Sequence, residues 1–212
     1  MKKKADPKPV LLVALGGNAM IQKGQAGTVE EQFDNLKVPM NQIAGLSRDY
    51  RVIITHGNGP QVGNLLLQQE CCDTVPRLPL EILVAQTQGQ IGYMIESTLD
   101  EALMAMGINT QPLVSLISYV VVDENDPAFQ SPSKPVGPVF SAEKAVTLPY
   151  PTVETPKGHR RVVLSPKPVT IVEKREIKAL IDSGFIVVCC CLLYTSDAAD
   201  DRRGVLVGGG GG

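Results

Sequence analysis

The sequence has no excess of charge of either sign: 20 lysines and arginines stand against 22 aspartates and glutamates, a formal net charge of -2 over 212 residues. A near-neutral chain exerts no general pull on nucleic acid or on an acidic membrane, and neither is expected as a partner. The run Lys2-Lys3-Lys4 is too short to change this and reads as a solvated terminus. Long apolar runs are missing as well; nothing approaches the roughly 18 consecutive apolar residues of a membrane span. Behind the basic start, the apolar run Val10 to Leu15 meets Gly16-Gly17 almost at once, which makes a poor signal-peptide core. A cytoplasmic protein is the expectation. There is no C-x-x-C pair and no histidine spaced to complete a zinc site, so no metal-ligating set is expected. The five cysteines fall in two local clusters, Cys71-Cys72 and Cys189-Cys190-Cys191. Neighbours of that kind rarely reach disulfide geometry, and reduced thiols follow.

What is present has the order of an α/β fold. With 43% hydrophobic residues, the chain can fill one sizeable core or one large domain cut short. Val10 to Leu15 and Arg51 to Thr55 read as strands buried on both faces of a parallel sheet. Thr28 to Glu31 spells a capping box, and Val29, Phe33, Leu36, Met40 and Ile43 follow at helical spacing, with a kink expected at Pro39. Further helices are expected from about Gln61 to Glu70 and from about Leu80 to Met106. Gly89 and Gly92 inside the second of these point to close packing or ligand approach. Strand-like runs return at Pro112 to Val122. From about 123 to 168, nine prolines break up any long element, which predicts a loop-rich protruding lobe with short antiparallel strands such as Arg161 to Leu164. A helix over Val169 to Ser183, capped by Gly184, and a strand over Phe185 to Cys190 close the pattern. Alternating strands and helices predict a mostly parallel open sheet.

Two glycine loops stand where such sheets bind ligands, at the carboxyl ends of strands. Gly16-Gly17-Asn18 follows the first strand and Gly57-Asn58-Gly59 the second, each ahead of a helix. Glycine lets the backbone approach a ligand closely, and N–H groups at a helix start attract anions. One G-G-N turn is weak, because turns after strands often contain glycine. Two in equivalent positions point to a phosphate held between them. Neither loop matches the Walker pattern or the dinucleotide fingerprint.

Several motifs carry a more specific likeness. Val13-Ala-Leu-Gly-Gly-Asn-Ala19, Thr55-His-Gly-Asn-Gly-Pro-Gln-Val-Gly63, Gln88-Gly-Gln-Ile-Gly-Tyr-Met94, Asp126-Pro-Ala-Phe-Gln130, Lys134-Pro-Val-Gly-Pro138 and Arg160-Arg-Val-Val163 resemble, in this order, signatures of the carbamate kinases, members of the amino acid kinase group. The likeness covers roughly residues 8 to 190. It implies a three-layer α/β/α sandwich and a homodimer when full length. It also implies reversible phosphoryl transfer between ATP and carbamate, giving ADP and carbamoyl phosphate, with magnesium expected beside the nucleotide. The N-terminal part, 1–190, would bind carbamate or carbamoyl phosphate, and the remainder of the fold the nucleotide.

Phosphoryl transfer needs positioning and positive charge more than covalent help. Gly16, Gly17, Asn18, Gly57, Asn58 and Gly59 would supply the donors. Many amino acid kinases have a lysine near the end of the first strand; Val13-Ala14-Leu15 has none. The resemblance assigns that charge to Lys134, on the lobe, which could fold over the site and exclude water. Arg160 and Arg161 could present a bidentate fork to a phosphate, Arg161 being the candidate, or pair with surface acids. His56 is read as a structural histidine, since carbamate is already an anionic nucleophile. His159 reads as a surface residue, and Gln88 and Tyr93 as packing or dimer contacts.

After Cys190 the likeness stops. Cys191 to Asp200 back-translates to TGT CTC TTA TAC ACA TCT GAC GCT GCC GAC, which matches a transposase adapter used in sequencing libraries. Residues 191–212, ending in five glycines, are therefore expected to be an adapter-derived tail without structure. The expectation for the 212 residues alone is a marginally stable chain with little or no kinase activity. A non-catalytic phosphate-binding or dimerising module and another amino acid kinase remain the alternatives.

Overall fold

Four strands lie side by side and all parallel in the order β1-β2-β9-β3: β1 is Val10–Leu15, β2 Arg51–His56, β9 Ile186–Cys191 and β3 Leu113–Ser115. The computed structural model describes residues 8–16, 19–22 and 24–191. Gly17 and Asn18, two of the candidate donors, lie outside the described residues, as do Lys2 to Lys4 and residues 192–212 of the expected tail. Side chains alternate across a strand, so each apolar run feeds two cores. Val52 and Ile54, with Ile186 and Val188, pack on one face against helices α1 (Val29–Leu46) and α3 (Leu80–Ala105). Ile53, Val187 and Cys189 pack on the other face against Ile177 and Ile181 of α5 (Lys174–Asp182). The result is the three-layer α/β/α sandwich. Leu36, Met40, Ile91, Ile95 and Leu99 are fully buried in the first core, each contributing roughly 1.5–3 kcal/mol of apolar transfer.

Helix α1 starts at the capping box. The Oγ1 of Thr28 accepts the N–H of Glu31, and the Glu31 carboxylate accepts the N–H groups of Thr28 and Gly27. The helix continues through Pro39 to Leu46; the carbonyl of Asn35 loses its helical partner there, while Leu36, Met40 and Ile43 keep one buried face across it. In α3, Gly92 lets the helix lie on β3. A Cβ there would meet the Ser115 Oγ at 2.8 Å and its Cβ at 2.9 Å. Gly89 is exposed and has no neighbour that needs its missing side chain.

The strand-like stretch Pro112 to Val122 holds two strands, β3 and β4 (Val120–Val122), in different sheets. One expectation is corrected: the helix expected from Val169 begins only at Lys174, and Pro168–Ile171 forms strand β8, antiparallel to β4. The β-branched run Val169-Thr170-Ile171-Val172 fits a pleated strand better than a helix turn, and β4 supplies the hydrogen-bonding partner that the sequence pattern cannot show.

Strands β4 and β8 form the stalk of the proline-rich lobe. The lobe is an antiparallel sheet in the order β5-β7-β6, from Lys134–Phe140 (β5), Thr152–Thr155 (β6) and Gly158–Val163 (β7), with a short helix α4 at Ala142–Ala145. At its base the Asp126 carboxylate accepts the N–H groups of Ala128 and Lys167, closing the stalk. Those bonds hold the Asp126 carboxyl below its ordinary value.

The lobe is packed onto helix α2 (Gly59–Glu70). Val136 of β5, Val62 of α2 and Leu83 and Val84 of α3 form a separate small core. Gly63 of α2 faces Gly137 of β5 so closely that a Cβ on Gly63 would stand 1.8 Å from the Gly137 Cα. Arg160 donates from Nε and Nη2 to the Gly137 carbonyl at 3.0 and 2.7 Å, which fixes the other side of that strand. Among the described residues, no helix is long and apolar enough to cross a membrane.

Candidate functional site

Parallel register brings Gly16 and Gly57, the first residues of the two glycine loops, together. Leu15 lies opposite His56 at the carboxyl ends of β1 and β2, and the Gly57 N–H donates to the Leu15 carbonyl at 3.1 Å. Gly16 and Gly57 thus leave the sheet as neighbours. Beyond Gly16, the N–H of Ala19 returns to the Gly16 carbonyl at 2.9 Å. Helix α2 begins at Gly59, immediately after Asn58.

Asn58 occupies the N-cap of α2, but its side chain makes no capping bond. Instead its amide donates to Thr87 Oγ1 at 2.7 Å, and Thr87 in turn donates to the Val84 carbonyl at 2.8 Å. Asn58 is fully buried and its Oδ1 has no partner. The first N–H groups of a helix have no intrahelical acceptor. With the cap side chain turned away, the N–H groups of Gly59 and Gln61 remain available to an anion, Pro60 having none, and the helix dipole favours negative charge there. Gly57, Asn58 and Gly59 therefore lie at a helix start whose unpaired N–H groups suit an anion, next to Gly16.

His56 is 2% exposed, with Nδ1 unpartnered. Burial holds its imidazole neutral, pushing the pKa from 6.5 down to about 4. The unfolded chain takes up this proton near pH 6.5 and the folded chain only near 4. This contribution to stability is complete above the higher value and is lost as pH falls towards the lower one, by about 3 kcal/mol. Urea unfolding at pH 7 and pH 4.5 should show this loss in the wild type and a shallower one in His56→Gln. An identical loss in the variant would place its cause elsewhere.

The remaining candidates sit on or near the lobe. Lys134 is the first residue of β5, half-buried, opposite Val163 and three residues before the Gly137 contact. Arg161 donates to Glu70 Oε1 at 2.6 Å, and its guanidinium lies 4.2 Å from the Tyr150 ring centroid. Burial and the Glu70 charge raise the Tyr150 pKa. Arg160, one residue earlier on β7, points to the opposite face, as strand geometry requires, so the two arginines do not work as one unit. Burial lowers the Arg160 pKa. His159 is half-buried within the lobe sheet, opposite Phe140 and Glu154, rather than on the surface. Tyr93 is exposed.

Buried amides lie behind the site; Gln88 has the packing role expected of it, whereas sequence reasoning gave no role to Gln32 or Gln61. Gln88 holds the turn after β3, its Nε2 donating to the Ser118 carbonyl and its Oε1 accepting the Ser118 N–H, both at 3.0 Å. Gln61, in the first turn of α2, donates to Gln32 of α1 at 2.7 Å. Gln61 was visible only as a member of a longer motif, and neither glutamine's partner could be read from the sequence. Their partners lie 29 and 30 residues away, beyond any local pattern.

The amino acid kinase family, by its sequence profile, matches residues 9–210. The chain belongs to this family. The carbamate kinase of Thermococcus kodakarensis is 46% identical over 187 residues, covering 84% of this chain and 59% of that protein. Carbamate kinase from Giardia lamblia bound to citric acid superposes with a TM-score of 0.83 at 35% identity, covering 87% of this chain and 61% of that one. The same Giardia enzyme bound to AMP-PNP gives a TM-score of 0.74, with 86% and 60% covered. This amino acid kinase chain thus spans about 59% of the length of its curated relatives.

Magnesium would need oxygen ligands, chiefly carboxylates. Among the described residues, no group of three or more His, Cys, Asp and Glu side chains gathers into a possible site. The donors at this sheet edge are backbone N–H groups and amides. They suit an anion and do not fit a protein-held divalent cation.

Proposed function

We propose that the protein containing this chain is a carbamate kinase, catalysing ATP + carbamate = ADP + carbamoyl phosphate in both directions. The observation that carries this reading is the register of β1 and β2, which sets Gly16 beside the uncapped start of α2 at Gly57–Gly59. The identity to carbamate kinases over 84% of the chain selects the substrate class. In the direction of carbamoyl phosphate synthesis, a carbamate oxygen attacks the terminal phosphorus of ATP. The new O–P bond forms as the bond to the ADP oxygen breaks, and ADP leaves with that electron pair. Carbamate is an anion and needs no base, which agrees with a buried, neutral His56.

In this reading, Gly16, Gly17, Asn18, Gly57, Asn58 and Gly59 surround the transferred phosphoryl group, and Lys134 supplies the positive charge that the first strand lacks. Arg161 reaches a phosphate only by exchanging Glu70 for it. ATP and ADP bind mainly to the part of the fold that relatives carry beyond this chain. Homodimer formation and a cytoplasmic location complete the proposal, as does reading residues 191–212 as adapter-derived.

A coupled assay on the full-length gene product should detect ATP from ADP and carbamoyl phosphate. The 212-residue polypeptide alone should give none. Turnover of another acyl phosphate or a nucleotide in place of carbamoyl phosphate would overturn the assignment. A second reading is a non-catalytic truncated phosphate-binding or dimerising module, consistent with a chain that spans 59% of its relatives. It predicts calorimetric binding of carbamoyl phosphate or phosphate by the 212-residue chain without ATP formation.

A further inference from the structure

We infer that the buried glutamine pair Gln32–Gln61 is the positioning element that fixes the first turn of α2, and with it Gly57–Gly59, against helix α1 and residues 20–22 and 24–28, which follow β1; this rests on the carbamate kinase reading. Gln32 and Gln61 are 3% and 5% exposed. The Gln61 Nε2 donates to the Gln32 Oε1 at 2.7 Å, and the Gln32 Nε2 donates onward to the carbonyls of Gly27 and Thr28 at 2.8 and 3.3 Å. The same end of α1 holds the connection from β1 at further points. Asn35 Nδ2 donates to the Met20 carbonyl at 2.8 Å and to Gln25 Oε1 at 2.6 Å, while Glu31 accepts the Gly27 N–H at 2.7 Å. Helix α1 therefore grips the segment that follows β1, and the Gln32–Gln61 bond joins that assembly to the first turn of α2, directly behind Gly57-Asn58-Gly59.

Burial alone does not require amides here. Replacing both members of a buried hydrogen-bonded pair by apolar groups of similar shape is often neutral for stability. A hydrogen bond has a length and a direction that an apolar contact lacks, so this pair sets a spacing. A phosphoryl site tolerates little misplacement, because its donors must meet the transition-state oxygens. Neither glutamine is argued to touch the substrate; both act through the loops they hold.

The test is a double-mutant cycle in the full-length enzyme with Gln32→Met, Gln61→Met and the pair together. Each single variant should raise the KM for carbamoyl phosphate roughly tenfold or more and leave the KM for ADP unchanged. Because the two side chains form one link, and Gln32 alone also holds Gly27 and Thr28, the double variant should be no worse than Gln32→Met in this KM. Its Tm should recover towards wild type, since no buried amide is left unpaired. A purely structural role would move Tm without changing the carbamoyl phosphate KM. Unchanged KM in an active enzyme, or effects that add in the double variant, would overturn the inference alone. A wild-type protein that makes no ATP would overturn the functional reading and this inference with it.

Discussion

Alanine at position 63 is expected to force the lobe off helix α2. The added methyl would stand 1.8 Å from the Gly137 Cα and 2.2 Å from its nitrogen. Both are backbone atoms, so no side-chain rotation can relieve the overlap. Gly137 cannot withdraw easily either: its carbonyl is held by Arg160, its φ is +74°, and Val136 is locked into the core with Val62, Leu83 and Val84. Overpacking against a fixed backbone costs about 1–3 kcal/mol or more, and here it also opens a small core to water. In the full-length protein, Gly63→Ala should lower the unfolding midpoint, make the stretch around 123–168 sensitive to protease, and cut kcat by roughly 100-fold through displacement of Lys134. Retained kcat with normal protease resistance would mean that α2 and β5 adapt without cost, and the docking would lose its proposed role.

Removal of the Lys134 ammonium is the second large effect. Nothing on β1 replaces it, because Val13-Ala14-Leu15 presents no cation, and Arg161 is engaged by Glu70. Loss of one preorganised group that stabilises transition-state charge typically costs 10²–10³-fold in kcat. Lys134→Ala in the full-length enzyme should fall within about that range while its unfolding midpoint stays close to wild type, since the side chain is only half-buried. Lys134→Arg should recover part of the rate, as charge returns with a different geometry. An alanine variant with wild-type kcat would move the charge-supplying role to another residue. The small core around Val136 and the Lys134 side chain lie on one strand, three residues or fewer apart. Both predictions therefore test the same idea from opposite ends: the lobe is rigidly seated so that one ammonium is correctly placed.

Much of this arrangement is legible in the residues themselves. The apolar centre of Arg51 to Thr55 marks a buried strand, whereas the run Val10 to Leu15 marks a strand but not its burial: Leu12 and Ala14 of β1, the end strand of the order β1-β2-β9-β3, are exposed. The capping box at Thr28 announces the start of α1, and its two reciprocal bonds are present. Glycines directly after two such strands mark a place where a backbone must approach something closely. All of these are local facts, set by neighbours within four residues or by the alternation of a strand.

What the sequence could not supply are relations between distant segments. Val169 to Ile171 is helical or extended according to local preference alone; pairing with β4, some 50 residues earlier, decides for a strand. Arg161 reads equally as a phosphate ligand or a surface ion pair until Glu70, 91 residues away, is seen beside it. The Gly63–Gly137 approach and the Gln32–Gln61 bond have no signature in either segment taken singly. Residue type and short-range spacing by themselves determined strands β1, β2 and β9, helices α1, α2 and α3, and the glycines that follow β1 and β2. The register of those loops, the seat of the lobe and the buried amides that hold them were decided only by tertiary structure, because sterics and hydrogen bonds act at 2–4 Å and the chain alone does not say which distant atoms come that close.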